Sequence, residues 1–220
     1  MKTTHLEAKR TALIERREKL IARFDQAARS RKGMARVFVE IHKVNEFLDS
    51  LEQIATEAAA EPVGGPRRYA ISSFFLHESF KKLTADQDEQ FFFVTGSEIG
   101  SVLVLDQWAE FAHQNRTMLG VTGDTRSTHN LLIKLEQFKH RLLGHFHSHP
   151  GKGVESTKPS EIDNAFQKRL ENAGHVAVMD IFSRDGFVRF VRLDQNLEIE
   201  IYGEGVEKHD KSIYRLTNLN

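Results

Sequence analysis

Apolar residues recur alternately four and three positions apart between 37 and 58, at Val37, Ile41, Val44, Leu48, Leu51, Ala55 and Ala58, which lines one seam of a helix at coiled-coil spacing. The whole segment from 6 to about 60 is rich in Ala, Glu, Lys, Arg and Leu, contains no Pro and has one Gly, Gly33, so it predicts two helices broken there, a helical hairpin. Leu13, Leu20, Phe24 and Ala27 can cover the seam from the first helix, while Arg10, Arg16, Arg17, Lys19, Arg23 and Arg29 keep much of that helix in water. Two uses of the hairpin stay open: packing on itself or on the rest of the chain, or an arm for dimerisation or partner docking. Glu61-Pro62-Val63-Gly64-Gly65-Pro66 ends the helical pattern, and the domain boundary is placed there, with an arm over 1–61 and a body over 67–220.

In the body, Phe74, Leu76, Phe80 and Leu83 predict a short amphipathic helix ending near Thr84. Phe91-Phe92-Phe93-Val94 is an apolar run bounded by charge and by Gly96, as expected of a strand covered on both faces, with 101–105 as its hairpin partner. Signals are weak from about 109 to 126, where one irregular strand is expected near 118–121. Leu131, Leu135 and Phe138 are spaced for a helix, with Ser127 or Thr128 as N-cap, leading into 142–147. Ile162, Phe166 and Leu170 step by four, predicting a helix from Ser160 to near Gly174. Strands over 176–182, 187–193 and 197–202 finish the pattern. Asp185-Gly186 marks a hairpin turn, and Leu197, Ile199 and Ile201 alternate with Glu198 and Glu200. The expected class is α/β, with a mixed, mainly antiparallel sheet flanked by helices behind an N-terminal helical hairpin.

The 220 residues carry 31 Lys+Arg and 31 Asp+Glu, a net charge of +0, so no global field recruits nucleic acid or an anionic membrane. The arginines of the hairpin are interleaved with acidic residues and lack an aromatic platform, which speaks against nucleic-acid binding, and Arg29-Ser30-Arg31-Lys32 reads as a solvated turn. Zero Cys excludes a disulfide framework and fits a reducing interior. The first residues lack the apolar core of a signal peptide, and no apolar stretch reaches the roughly 18 residues needed to span a bilayer. A soluble, cytoplasmic protein is expected.

The candidate chemistry lies in Gly144-His145-Phe146-His147-Ser148-His149-Pro150 and in Ser160-Glu161-Ile162-Asp163. At the end of a strand, His147 and His149 point to one face, and Asp163 in the first turn of the next helix could add an oxygen. Two His and one carboxylate are the ligand count of a catalytic zinc with a position left for water, whereas a closed structural zinc would want four protein ligands, usually including Cys. Plainer readings compete. The chain has 11 His, and Ser160-x-x-Asp163 is equally a capping box that needs no metal. The Gly- and Pro-containing loop between strand and helix allows both ligand sets to meet. Among nearby groups, Glu78, Glu98, Glu155 and Glu161 fit helix, hairpin and loop positions. His145 fits a supporting or packed imidazole, His140 and His175 fit element ends, and Arg189 and Arg192 fit either a peptide grip or solvated surface.

His147-Ser148-His149-Pro150 followed by Ser160-x-x-Asp163 resembles the JAMM (MPN-plus) metallopeptidases, and Glu89-Gln90-Phe91-Phe92-Phe93-Val94-Thr95-Gly96 looks like the family's glutamate-to-glycine segment. The resemblance covers about 69–203 and leaves the arm out. It implies an MPN-like, cytidine-deaminase-like core, zinc held by His147, His149 and Asp163, Glu89 as the acid–base residue, and Ser160 donating to the oxyanion, with Ser148 supporting the turn. The thirteen residues of 150–162 exceed the family's usual spacing, and an outward bulge that leaves the ligands in place is expected. The implied activity is a zinc isopeptidase acting on a ubiquitin-like protein, removing it from lysine conjugates or trimming its precursor. The likeness is strongest to bacterial members found beside ubiquitin-like conjugation enzymes in antiphage operons. The implied partners are that protein and its conjugates, with a second copy or a conjugation enzyme on the arm. A sulfur-carrier-processing peptidase and a non-catalytic MPN scaffold acting through the arm are the alternatives.

Overall fold

The structure, a computed structural model, describes residues 5–30, 33–60, 67–109, 113–117, 120–123, 133, 141–193 and 197–219. The hairpin forms as the spacing predicts: α1 spans His5–Ser30 and α2 spans Met34–Ala60. Between them Gly33 takes φ 75°, a left-handed conformation that costs a glycine little. Leu20, Val37, Val44 and Leu48 bury the seam, with Leu13, Ile14, Phe24 and Ile41 packed against it.

Eleven strands are described. Nine form one sheet: β1 Arg68–Ser72, β2 Phe91–Ile99, β3 Val102–Ala109, β6 Arg141–Ser148, β7 Val178–Phe182, β8 Phe187–Val191, β9 Ile199–Tyr202, β10 Val206–Asp210 and β11 Ile213–Leu216. Among the described residues the other two, β4 His113–Thr117 and β5 Gly120–Gly123, pair only with each other. The order in the large sheet is β10-β11-β8-β7-β6-β2-β3-β1-β9. Pairing is parallel at β6–β7, β1–β3 and β1–β9 and antiparallel elsewhere, so the sheet is mixed and mainly antiparallel.

Side-chain alternation gives each face its own helix cover. α3 (Ser73–Leu83) brings Phe75, Leu76, Phe80 and Leu83 onto Tyr69, Ile71, Phe92, Val94, Leu103, Leu105 and Phe146. On the opposite face α2 lays Phe47, Leu51, Ile54 and Ala58 over Ala70, Val102, Val104 and Tyr202. On that same face α4 (Glu161–Asn172) sets Phe166 and Leu170 against Phe93, Leu142 and Ala177. The second helix of the hairpin is therefore a layer of the core, and Lys9 of α1 adds a tie by donating to Asp106 Oδ1 at 2.9 Å.

Several expectations change. β2 and β3 are longer than the apolar runs that announced them. They pair through an irregularity at Gly96, where a Cβ would stand 1.8 Å from the Val104 carbonyl oxygen, so only glycine lets the strands approach. In place of one strand near 118–121 the structure has β4 and β5. The short β1 is buried along most of its length and shows no alternation, and the edge strand β10 is mostly exposed and charged, so neither carried a readable pattern. The helix expected over 131–138 lies outside the described residues except for residue 133. Among the described residues no helix is long and apolar enough to cross a membrane.

Candidate metal centre

β6, α4 and β7 make a parallel crossover unit, and His147, Ser148 and His149 fall at the carboxyl end of β6, where such units place their ligands. β6 sends His145 and His147 to the α4 face. Ser160 caps α4: its Oγ accepts from the Asp163 N–H at 3.2 Å, while Asp163 Oδ2 accepts from the Ser160 N–H at 2.7 Å. The capping box is real, and it also aims the Asp163 carboxylate back at the strand. Asp163 Oδ1 stands 3.3 Å from His147 Nε2, Asp163 Oδ2 stands 3.4 Å from His149 Nε2, and the two Nε2 atoms are 3.2 Å apart.

Those separations test whether the group suits a metal. Ligands about 2.0–2.1 Å from a tetrahedral zinc stand about 3.3–3.4 Å from one another, close to the observed edges. Among the described residues, His147, His149 and Asp163 are a set whose ligand atoms lie within 4.8 Å of one another. His149 Nδ1 lies 2.7 Å from the Ser156 carbonyl oxygen; a carbonyl only accepts, so Nδ1 carries the proton and Nε2 keeps its lone pair for the centre. His147 is 4% exposed and its ring lies against His145 and Phe91; its Nδ1 has no hydrogen-bond partner among the described residues. The donor set and spacing fit a zinc-type cation.

Burial pushes the His147 pKa down against the opposing pull of Asp163, so its neutral, ligating form is favoured. For His149, burial also disfavours the cation, but hydrogen bonds to Asp163 and Ser156 and the charges of Asp163 and Glu89 outweigh it and raise the pKa. Burial alone would raise Asp163, yet its bonds to the two imidazoles hold it far below the usual carboxylate range.

Glu89 arrives from the connection that leads into the neighbouring strand, β2. Antiparallel pairing sets Phe91 opposite His147, and Gln90 exchanges hydrogen bonds with Ser148, its carbonyl accepting from the Ser148 N–H at 3.1 Å and its N–H donating to Ser148 Oγ at 3.2 Å. Glu89, the residue before Gln90, lies near enough to the centre for the charges of His149 and Asp163 to act on its carboxyl. Burial raises the Glu89 pKa, with His149 and Arg184 opposing and Asp163 assisting. The fold brings His147, His149 and Asp163 into mutual contact, sets Glu89 within electrostatic reach of His149 and Asp163, and places Ser160 at the helix cap.

The enlarged loop does not bulge outward. Gly153 takes φ 77°, and a short 3-10 turn over Val154–Thr157 folds inward, burying Thr157 and delivering the Ser156 carbonyl to His149. Arg189, read as solvated or peptide-gripping, instead donates from Nε to the Thr157 carbonyl and Oγ1, both at 3.1 Å. The Arg192 side chain, 2% exposed, is likewise engaged within the protein, paired with Glu171 at 3.3 Å and donating to the Tyr69 hydroxyl at 2.8 Å. His145 is 1% exposed, bonds Gln167 Oε1 through Nε2 at 2.8 Å, and has its pKa lowered to about 3 by burial. Ser148, expected to support the turn, instead donates from Oγ to the Leu83 carbonyl at the end of α3. Glu78 and Glu98 pair with surface cations. The sequence reading missed Ser156, which acts through its backbone, and Arg184, which sits in a turn recognised only for its Asp-Gly.

No family model and no curated protein matches the chain. Among solved structures it is similar to a protein from Desulfitobacterium hafniense determined in solution, with 16% sequence identity and a TM-score of 0.44 over 62% of this chain and 94% of that chain. It is also similar to a JAB1/MPN domain protein from Archaeoglobus fulgidus, with 16% identity and a TM-score of 0.34 over 62% of this chain and 99% of that chain. At these values neither likeness bears on what the protein does, and the α/β architecture rests on the sheet order and register themselves.

Proposed function

We propose that the chain is a zinc-dependent peptidase that hydrolyses an amide at the carboxyl terminus of a ubiquitin-like protein, as an isopeptidase on lysine conjugates or as a precursor-trimming enzyme. The observation that carries this reading is the triangle of His147, His149 and Asp163, with Glu89 beside it from the segment just before β2. The substrate class and a place among bacterial ubiquitin-like conjugation systems are supported by the JAMM-like motif in the sequence.

Zinc held by His147, His149 and Asp163 would polarise the scissile carbonyl and lower the pKa of water toward about 7. Glu89 takes the proton from the attacking water and delivers it to the leaving nitrogen as the C–N bond breaks; a carboxyl raised by burial is closer to the working pH for both transfers. Ser160 Oγ uses a lone pair on the Asp163 N–H and keeps its own O–H to donate to the developing oxyanion. The Ser156 carbonyl holds the His149 tautomer throughout.

Metal analysis of the purified protein, combined with cleavage of ubiquitin carrying a fluorogenic amide at its C-terminus and of lysine-linked conjugates, tests the reading. Wild type is expected to bind zinc and turn substrate over, Glu89→Gln to bind zinc without turnover, and His147→Ala to lose the metal. Absence of bound zinc, or equal turnover by wild type and Glu89→Gln, defeats the peptidase.

A further inference from the structure

Glu89 belongs to no helix or strand; it lies in the 84–90 connection between α3 and β2. On its C-terminal side the chain is held by the reciprocal hydrogen bonds of Gln90 and Ser148. On its N-terminal side the hold comes from Arg184, in the turn between β7 and β8. Arg184 Nη2 donates to the carbonyls of Gln87 and Asp88, both at 3.0 Å, and Nη1 donates to the carbonyl of Asp86. The Arg184 backbone N–H donates to the Gly151 carbonyl at 2.9 Å, in the loop that leaves His149. One residue thereby ties the segment before Glu89 to the segment after a metal-ligand candidate.

We propose that Arg184 is a positioning residue, whose guanidinium fixes the backbone of 86–88 so that the Glu89 carboxylate stays aimed at the metal centre. This rests on the reading of Glu89 as the proton-transfer group. Three consecutive carbonyls facing one point require a planar, multi-donor group; an ammonium of compact shape cannot span them, so lysine does not replace arginine here. Asp86 completes the brace by accepting from the Asp88 N–H at 3.0 Å and from Gln90 Nε2 at 2.8 Å, which makes 86–90 one bonded unit gripped from outside by Arg184.

A displacement of about 1 Å in a catalytic group costs on the order of a hundredfold in rate. In the zinc-loaded full chain, Arg184→Ala should therefore lower kcat on the fluorogenic ubiquitin amide by roughly ten- to a hundredfold, leaving KM and zinc stoichiometry as in wild type. Arg184→Lys should recover little of the loss, and added guanidinium, well below denaturing concentration, should restore part of it to Arg184→Ala. Amide hydrogen exchange supplies a readout independent of turnover: Arg184→Ala should accelerate exchange in 86–90 and leave 145–149 unchanged. The proposal is overturned by wild-type kcat in Arg184→Ala, by zinc loss in parallel with the rate, or by unchanged exchange in 86–90. A wild type without turnover counts against the peptidase reading, while exchange still decides what Arg184 holds.

Discussion

Asp180 is the most exacting test of the fold's energetics. It lies mid-strand in β7, fully buried, and alternation turns it to the side of Val178 and Phe182, into the core under α3, with Phe146 and Phe190 as its strand neighbours. Neither carboxylate oxygen has a hydrogen-bond partner among the described residues, and burial pushes its pKa well above the ordinary value. In the unfolded chain the group ionises near about 3.9. Above that pH the unfolded state has released a proton that the native state still holds, so stability is highest at or below the unfolded pKa and declines as pH rises toward the native pKa. Linkage caps the decline at about 1.4 kcal/mol per pH unit, reached where the unfolded group is ionised and the native carboxyl is still protonated. Asp180→Asn removes the titration at nearly constant shape. Urea unfolding of both proteins in the presence of chelator, at pH 5, 6 and 7, isolates the effect, since the histidine centre on the other face of the sheet titrates in both and cancels in the difference. Wild type should lose stability relative to Asp180→Asn as pH rises, by up to about 1.4 kcal/mol per pH unit. Parallel pH dependence in the two proteins would refute the reasoning, because it requires that the native carboxylate ionise without cost.

Two further substitutions probe the frame. Lys9→Met removes the cation facing the Asp106 carboxylate, whose side chain is 1% exposed, and should destabilise by about 3 kcal/mol in urea unfolding, the low end for a broken buried pair because Lys9 keeps 18% exposure; α1 should also become sensitive to limited proteolysis. Gly96→Ala drives a methyl group into the Val104 carbonyl and should cost at least about 3 kcal/mol, with a lowered Tm and reduced zinc binding through displacement of β2 against β6; a Tm equal to wild type would show that the strands can part there.

Much of the helical content was legible from periodicity alone. The α2 seam, the Leu76–Phe80–Leu83 face of α3 and the Ile162–Phe166–Leu170 step of α4 repeat at helical spacing, and the breaker at Gly33 fell where the hairpin turns. Even so, spacing misjudged Ile162, which is 79% exposed, because a period identifies a stripe without saying how far the covering layer extends. Strands were read where apolar runs or alternation were present, as at Phe91–Val94, and missed where burial on both faces or exposure at an edge erased the pattern, as at β1 and β10.

The centre divides in the same way. Residue identity and local spacing determined its donors, because a strand puts His147 and His149 on one face and a helix cap fixes Asp163 relative to Ser160, both within a few bonds along the chain. Only the tertiary structure decided that these donors meet at 3.2–3.4 Å, that Glu89 comes near them from the segment before β2, and that the Ser156 carbonyl bonds His149 and the Arg184 guanidinium bonds the backbone before Glu89. Those are contacts between segments far apart in sequence or made through backbone atoms common to every residue, and no side-chain pattern encodes them until sheet register and loop closure bring the segments together.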